Sequence, residues 1–361
     1  MGLEFIGIII NHNASETILR DGPVLDRNFV EALAKAHELG GFDRALLAFH
    51  SWSPDSLQVA QHAASVTQKL GLFVAQRPGF TAPTVAARQF ATLDALYPGR
   101  FSINIITGGD HAELVQDGNN VPDKDERYAR TNEFLDIVRA EWTSEKPFDY
   151  NGKYYNVQGA FSHVRPAKPL DIFIAGASEA AIDTAGRHAD VFALWAEDYE
   201  STRAQLLKVR AAAGKYGRPE PEFSLSLRPI IAETEKQAWE KAEYILEKAR
   251  KLQEASGFAR NGTPPNVGSQ RLVELAKRGT RHDKYLWTAI ADLTGAKGNS
   301  TALVGTPDQV AEGLLDYWDL GVQKFLIRGF DPLVDAIEYG REILPRVRAL
   351  VAQHGEPRQA A

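Results

Sequence analysis

Eight short runs rich in Val, Ile, Leu and Phe recur along the chain at 5–10, 44–49, 71–75, 101–106, 171–175, 191–195, 223–227 and 324–327. Short apolar runs without strict alternation are the mark of strands buried on both faces, as in a parallel sheet. Between them lie amphipathic stretches at helical spacing, among them 28–39, 56–70, 84–96, 127–141, 180–188 and 199–213. Strands alternating with helices, and no early glycine-rich dinucleotide turn, predict a closed (β/α)8 barrel in preference to a doubly wound sheet. At 361 residues the chain is long for one domain, but barrels of this class carry insertions. A single barrel domain over 1–361 is therefore expected.

Two interruptions read as insertions. Within 146–169 the segment FDYNGKYYNVQGA alternates aromatic and polar residues around Asn-Gly and Gln-Gly, which predicts a small hairpin before the fifth strand. The stretch 252–300 is polar, contains Gly-Thr-Pro-Pro and several Arg and Lys residues, and reads as a mobile lid.

Composition removes several classes of function. A formal charge of −6 with no basic run offers no footprint for a nucleic-acid backbone. The absence of cysteine excludes disulfides, thiolate metal ligands and thiol nucleophiles. The opening MGLEFIGIIINHNASET lacks a basic leader and a small-residue cleavage site, and no run approaches the roughly 20 apolar residues of a membrane span. A cytoplasmic protein without a membrane partner is the expectation.

In a barrel the βα loops at the strand ends form the large cleft, and these ends are rich in polar and aromatic residues. They read Asn11-His12-Asn13, His50-Ser51-Trp52-Ser53, Gln76-Arg77-Pro78-Gly79, Thr107-Gly108-Gly109-Asp110, Gly176-Ala177-Ser178, Trp195, Arg228 and Arg328-Gly329-Phe330-Asp331. Gly176-Ala177-Ser178 stands between a strand and a helix, where small residues expose backbone N–H groups to an anion at the helix N-terminus. The alternative is a tight turn with a helix cap. His12 and His50 could suggest a metal-dependent hydrolase, but neither strand end supplies an HxH or HxxE pattern, and no metal site is expected.

Seven segments carry a family resemblance: RPGFTAPTVAARQFATLDALYPGRFSINIITGGD at 77–110, DERYARTNEFLDIVR at 125–139, YNGKYYNVQGA at 150–160, IFIAGASEAA at 172–181, ADVFALW at 189–195, STALVGTPDQVAEGL at 300–314, and FLIRGFDPLVDAIEYGREILP at 325–345. Through them the chain resembles the bacterial luciferase-like flavin monooxygenases, and among these the alkanesulfonate monooxygenases. The resemblance implies a two-component enzyme. A separate NAD(P)H-dependent flavin reductase would supply reduced FMN, which with O2 would desulfonate an organosulfonate to sulfite and an aldehyde. It also implies a homo-oligomer, dimer or tetramer.

Carried over by residue, the resemblance places Tyr128 and Ser178, with Gly176 and Ala177, at the flavin phosphate. Asn104 and Thr107 fall beside the ring and ribityl chain, and Ala75 and Gln76 under the isoalloxazine. For Tyr128 the alternative is a packing tyrosine, and for Asn104 a satisfied core amide. His12, Ser53, Trp195 and Arg228 are the implied catalytic group. Trp52, Arg228, Lys297, Arg328 and Phe330 are the candidates for the substrate. A guanidinium fork suits a sulfonate's several oxygens, although Arg328 could equally pair with Asp331 or another carboxylate. The chain departs from the alkanesulfonate pattern where Ser53 replaces a cysteine, Ile230 a histidine and Phe330 a tyrosine, and where Lys297 is the nearest cation to the lid arginine. A more polar sulfonate of the sulfoquinovose type is accordingly in view. The alternatives are a flavin or deazaflavin oxidoreductase acting on a non-sulfonate substrate, and a flavin-binding barrel without turnover.

Overall fold

The computed structural model describes residues 2–108, 111–119, 121–255, 264, 266–296, 298 and 300–355. Among them are strands β1 Glu4–Ile9, β2 Arg44–Leu47, β3 Gly71–Gln76, β4 Phe101–Ile105, β5 Phe148–Asn151, β6 Asn156–Ala160, β7 Ile172–Ala175, β8 Val191–Trp195, β9 Glu222–Ile231, β10 Arg281–His282, β11 Leu286–Trp287, β12 Ala302–Gly305 and β13 Lys324–Ile327. Eight run in the order β9-β13-β1-β2-β3-β4-β7-β8, and β8 pairs back to β9, so the sheet closes. This is the expected (β/α)8 barrel. All six positions of β3 are buried, which is why its sequence, GLFVAQ, is nearly continuously apolar. The helices that follow begin on short polar residues. Asp26 accepts from Phe29 N, Asp55 from Gln58 N, and Thr306 forms a capping box with Gln309, each satisfying amides that a helix start leaves unpaired.

The chain divides into two compact units, one of residues 1–45, 193–207 and 222–361, the other of residues 46–192 and 208–221. In the first, β1 and β9 both pair in parallel with β13, and Phe5 packs on Phe325 at 6.1 Å between ring centroids. Lys324, buried at the start of β13, is held by Glu4 Oε1 at 2.8 Å and Glu222 Oε2 at 3.0 Å. Helices Arg27–Leu39 and Pro332–Glu342 touch through glycine: a Cβ on Gly340 would stand 2.5 Å from the Gly40 Cα.

β9 runs further than its apolar segment predicts. Its first half pairs with β13, while Arg228 to Ile231 pair with Ala302 to Gly305 of β12. Arg228 thus stands inside a strand, where the pairing changes from one neighbour to another, and not at the strand end that the sequence suggested. The described part of 252–300 contains helix Val267–Lys277, strands β10 and β11, and helix Ala289–Thr294, with Leu272, Leu275, Trp287 and Ile290 buried.

In the second unit β4 pairs in parallel with β3 and β7, and Phe73 meets Phe173 at 4.1 Å. Strands β5 and β6 form the predicted hairpin. Its turn is held by Glu133, whose carboxylate accepts the amides of Lys153, Tyr154 and Tyr155 at 2.7–3.0 Å. Among the described residues no helix is long and apolar enough to cross a membrane.

Candidate functional site

After β7 the backbone turns sharply. Gly176 has φ +137°, and a Cβ there would lie 2.7 Å from the Ala181 Cβ and 3.0 Å from the Tyr128 hydroxyl. Only glycine fits this conformation and this approach. Ala177 follows, half-buried, and then Ser178, which caps helix Glu179–His188 by accepting from Ala181 N at 3.3 Å. Tyr128, buried on helix Lys124–Thr143, brings its hydroxyl to the same turn beside Ser178, and burial pushes its phenol pKa up. A neutral hydroxyl, a serine and the start of a helix therefore converge on one glycine turn, a donor set suited to a phosphate.

Further along the same unit, Asn104 of β4 is buried and its Oδ1 has no hydrogen-bond partner among the described residues. Thr107 Oγ1 lies 2.9 Å from Thr131 Oγ1, which itself donates to Arg127 O. Thr131 has only one proton, so Thr107 must donate to it, leaving the Thr107 lone pairs for another donor. Gln76 ends β3 and is buried beside Ala75, whose carbonyl accepts from Ser56 Oγ.

The ends of β2 and β3 hold a group the sequence reading did not assign. The buried Arg77 guanidinium donates to Glu113 Oε2 at 2.7 Å and lies over the Phe49 ring. Glu113 also meets His50 Nδ1 at 3.2 Å, and Trp52 stacks on His50 at 4.7 Å with 66% of its surface exposed. Burial acts to raise the Glu113 carboxyl, but the hydrogen bonds from Arg77 and Ser51 outweigh it and hold the pKa low. Ser53 turns inward on its own loop, donating to His50 O at 3.0 Å.

In the first unit Arg228, Arg328 and Phe330 come together, joined by a residue the sequence reading missed. Arg228 is fully buried, its guanidinium 3.5 Å from the Phe330 ring centroid, with Nη2 donating to Gly329 O at 2.8 Å. Its Nη1 lies 2.9 Å from Glu16 Oε2, and Arg328 Nη2 donates to Glu16 Oε1 at 3.0 Å. Arg228 Nη1 and Glu16 Oε2 thus meet as an ion pair, and Arg228 Nε and Arg328 Nε lack hydrogen-bond partners among the described residues. Burial acts to raise the Glu16 carboxyl, but both guanidiniums outweigh it and hold it at about 2. Burial draws Arg228 down to about 10 even beside Glu16.

Trp195 ends β8, half-buried against Gly268 and the Leu272–Ala291–Ala296 cluster. Arg271, on the same helix as Leu272, grips Glu197 through two bonds at 2.9 and 2.7 Å. His12 spends its Nδ1 on Val24 O at 2.8 Å. Lys297 lies outside the described residues. Among the described residues no cluster of three or more His, Asp or Glu is placed to hold a metal ion.

Comparison with solved structures gives the same fold throughout. EDTA monooxygenase (EmoA) from Chelativorans sp. BNC1 matches with a TM-score of 0.77 at 20% identity, over 99% of both chains. A riboflavin lyase (RcaE), solved with modified FMN and riboflavin, matches with 0.78 at 20% identity, over 100% of this chain and 94% of its own. DmoA from Hyphomicrobium sulfonivorans matches with 0.77 at 20% identity, over 99% and 89%. At this identity the likeness concerns the fold. The sequence itself matches the profile of the luciferase-like monooxygenases from residue 5 to residue 324, and the chain belongs to that family.

Proposed function

We propose that this protein uses reduced FMN and O2 to desulfonate a small organosulfonate, and that a separate NAD(P)H-dependent reductase supplies the reduced flavin. The observation that carries the substrate reading is Arg228: a fully buried guanidinium whose Nε has no hydrogen-bond partner among the described residues and whose Nη1 is met by the Glu16 carboxylate at 2.9 Å. Burying such a group is costly, and a ligand bringing several anionic oxygens would complete it.

The flavin reading rests on fit. Tyr128, Ser178 and the amides after Gly176 would hold the phosphate, and the unpartnered Asn104 Oδ1 and the free lone pairs of Thr107 would meet ring or ribityl donors. Bound there, the cofactor supplies two electrons and activates O2, so that one oxygen atom ends in the aldehyde and the other in water as sulfite leaves. The protein's own work is to bind and orient. Arg228 and Arg328 fix the sulfonate, and the packed side of Phe330 excludes water from the face of Arg228. Helix Val267–Lys277, strapped by Arg271 on Glu197, is the lid element of this reading. Trp52, stacked on His50 with most of its surface exposed, offers an aromatic face of the kind on which sugar rings stack. The same fold also serves an F420-dependent secondary alcohol dehydrogenase, with a TM-score of 0.69, so a deazaflavin is the second reading.

The test is sulfite release by purified protein with reduced FMN, O2 and a panel of alkanesulfonates, taurine-like compounds and sulfosugars. Sulfite stoichiometric with reduced flavin supports the reading. Turnover with F420 alone, or oxygen uptake without sulfite from any member of the panel, overturns it.

A further inference from the structure

Glu16 sits where an anionic ligand of Arg228 would sit. Its carboxylate lies between the two arginines, 2.9 Å from Arg228 Nη1 and 3.0 Å from Arg328 Nη2. The chain on either side of it is pinned. Ser15 and Ile18 bridge each other through their backbones, and the hydroxyls of Ser15 and Thr17 both donate to Phe330 O, at 2.6 and 3.2 Å. The backbone around Glu16 is therefore held, which keeps its carboxylate at the two arginines.

Two features of this arrangement bear on what it accepts. The first is hydrogen bonding: Arg228 Nη1 and Glu16 Oε2 answer each other at 2.9 Å, while Arg228 Nε and Arg328 Nε have no hydrogen-bond partner among the described residues. Acceptors are what the cluster lacks. The second is charge: two guanidiniums and one carboxylate leave a net charge of +1. Arg228 is wholly buried, while Glu16 and Arg328 keep 23% and 30% of their side chains exposed, so a ligand meets a partly open side of a cluster whose far side is dry.

From these observations we propose that Glu16 sets the charge selectivity of the site, admitting monoanions and rejecting dianions of the same shape. This rests on the reading of Arg228 as the sulfonate site. A monoanionic sulfonate brings the cluster to neutrality. A phosphate ester, or a sulfonate carrying a carboxylate close by, leaves an uncompensated negative charge next to the Glu16 carboxylate, and interactions there are screened less than in water.

The test compares butyl sulfate with butyl phosphate. The two have the same tetrahedral shape, but above the second ionisation of the phosphate, near pH 6, they differ by one charge. Affinities are measured by calorimetry on the flavin-free full chain at pH 8, for wild type, Glu16→Gln and Glu16→Asp. The expected result is that wild type binds the sulfate at least tenfold more tightly than the phosphate. Glu16→Gln should shift this ratio at least tenfold toward the phosphate, and Glu16→Asp should keep the wild-type preference. Wild type binding both equally, or a ratio unmoved in Glu16→Gln, overturns the proposal, and the wild-type comparison decides even if a variant does not fold. Sulfite release by wild type without this charge preference would sink the role of Glu16 and leave the desulfonation reading standing. If neither probe binds and no sulfite forms, both fall.

Discussion

Replacing Arg228 by methionine should separate the cost of this residue from its use. Methionine keeps the length of the side chain and deletes every donor. On the losing side are the bond to Gly329 O, charge-assisted and worth roughly 1.5–3 kcal/mol, and the packing of the guanidinium on Phe330, about 0.5–2 kcal/mol. Its attraction to Glu16 is also lost. On the gaining side, the buried Nε, without a hydrogen-bond partner among the described residues, disappears, a burden of roughly 1–3 kcal/mol, together with the desolvation of a fully buried cation. Glu16 keeps Arg328 at 3.0 Å and is not stranded. Terms of similar size oppose, so the unfolding free energy should change by no more than about 2 kcal/mol, in either direction. Sulfonate binding should behave differently, because each lost charge-assisted bond weakens it by roughly ten- to a hundredfold. Urea denaturation gives the first quantity, and titration with an alkanesulfonate gives the second. A loss of more than about 4 kcal/mol in stability with unchanged affinity would show that Arg228 is a strut of the barrel, and the reasoning would be refuted.

Other predictions follow from the glycine turn and from the buried histidines. Gly176→Ala should lower stability by about 1–3 kcal/mol through its left-handed φ and, by pushing on the Tyr128 hydroxyl, weaken FMN binding; unchanged FMN fluorescence quenching would remove Gly176 from the cradle. Ser178→Asp keeps a helix-capping side chain but sets a negative charge against a phosphate, so FMN affinity should fall sharply while riboflavin affinity, measured side by side, stays the same. His37 and His188 are held neutral by burial, down to about 4 and about 3. The unfolded chain thus takes up protons from about pH 6.5 downward that the folded chain refuses, and stability must fall as pH drops from there toward 4. Denaturant midpoints between pH 7 and 4.5 should show this slope, and the paired variant His37→Gln and His188→Gln should flatten it.

The barrel was legible because its strands are buried on both faces and so carry short apolar runs that need no partner to be recognised. The 148–160 hairpin was legible from aromatic alternation around Asn-Gly, a local signal. What escaped was non-local. Arg228-Pro229 reads as the end of a strand, since a charge and a residue without an N–H both argue against continuing, yet β9 continues because β12, some 70 residues on, supplies a neighbour for it. The helix Val267–Lys277 lies inside a polar stretch, where its helical spacing is carried by a few residues, Leu272, Leu275 and Ala276 among them.

The same distinction separates the two candidate sites. The glycine turn is one local segment, Gly176 to Ser178, whose residue types are those of a candidate anion cradle, and only Tyr128 had to be brought to it from elsewhere. The arginine cluster is assembled from the loop after β1, the interior of β9 and the end of β13, and its chemistry depends on a residue with no local signature. Glu16 lies in an unremarkable run of polar residues after β1, 212 positions from Arg228 and 312 from Arg328. Arginines after the last strands predict a strongly cationic site from sequence; folding adds the carboxylate and halves that charge. Residue types at strand ends can therefore suggest that an anion binds, while how many charges it carries is decided by which acid the fold places between the arginines.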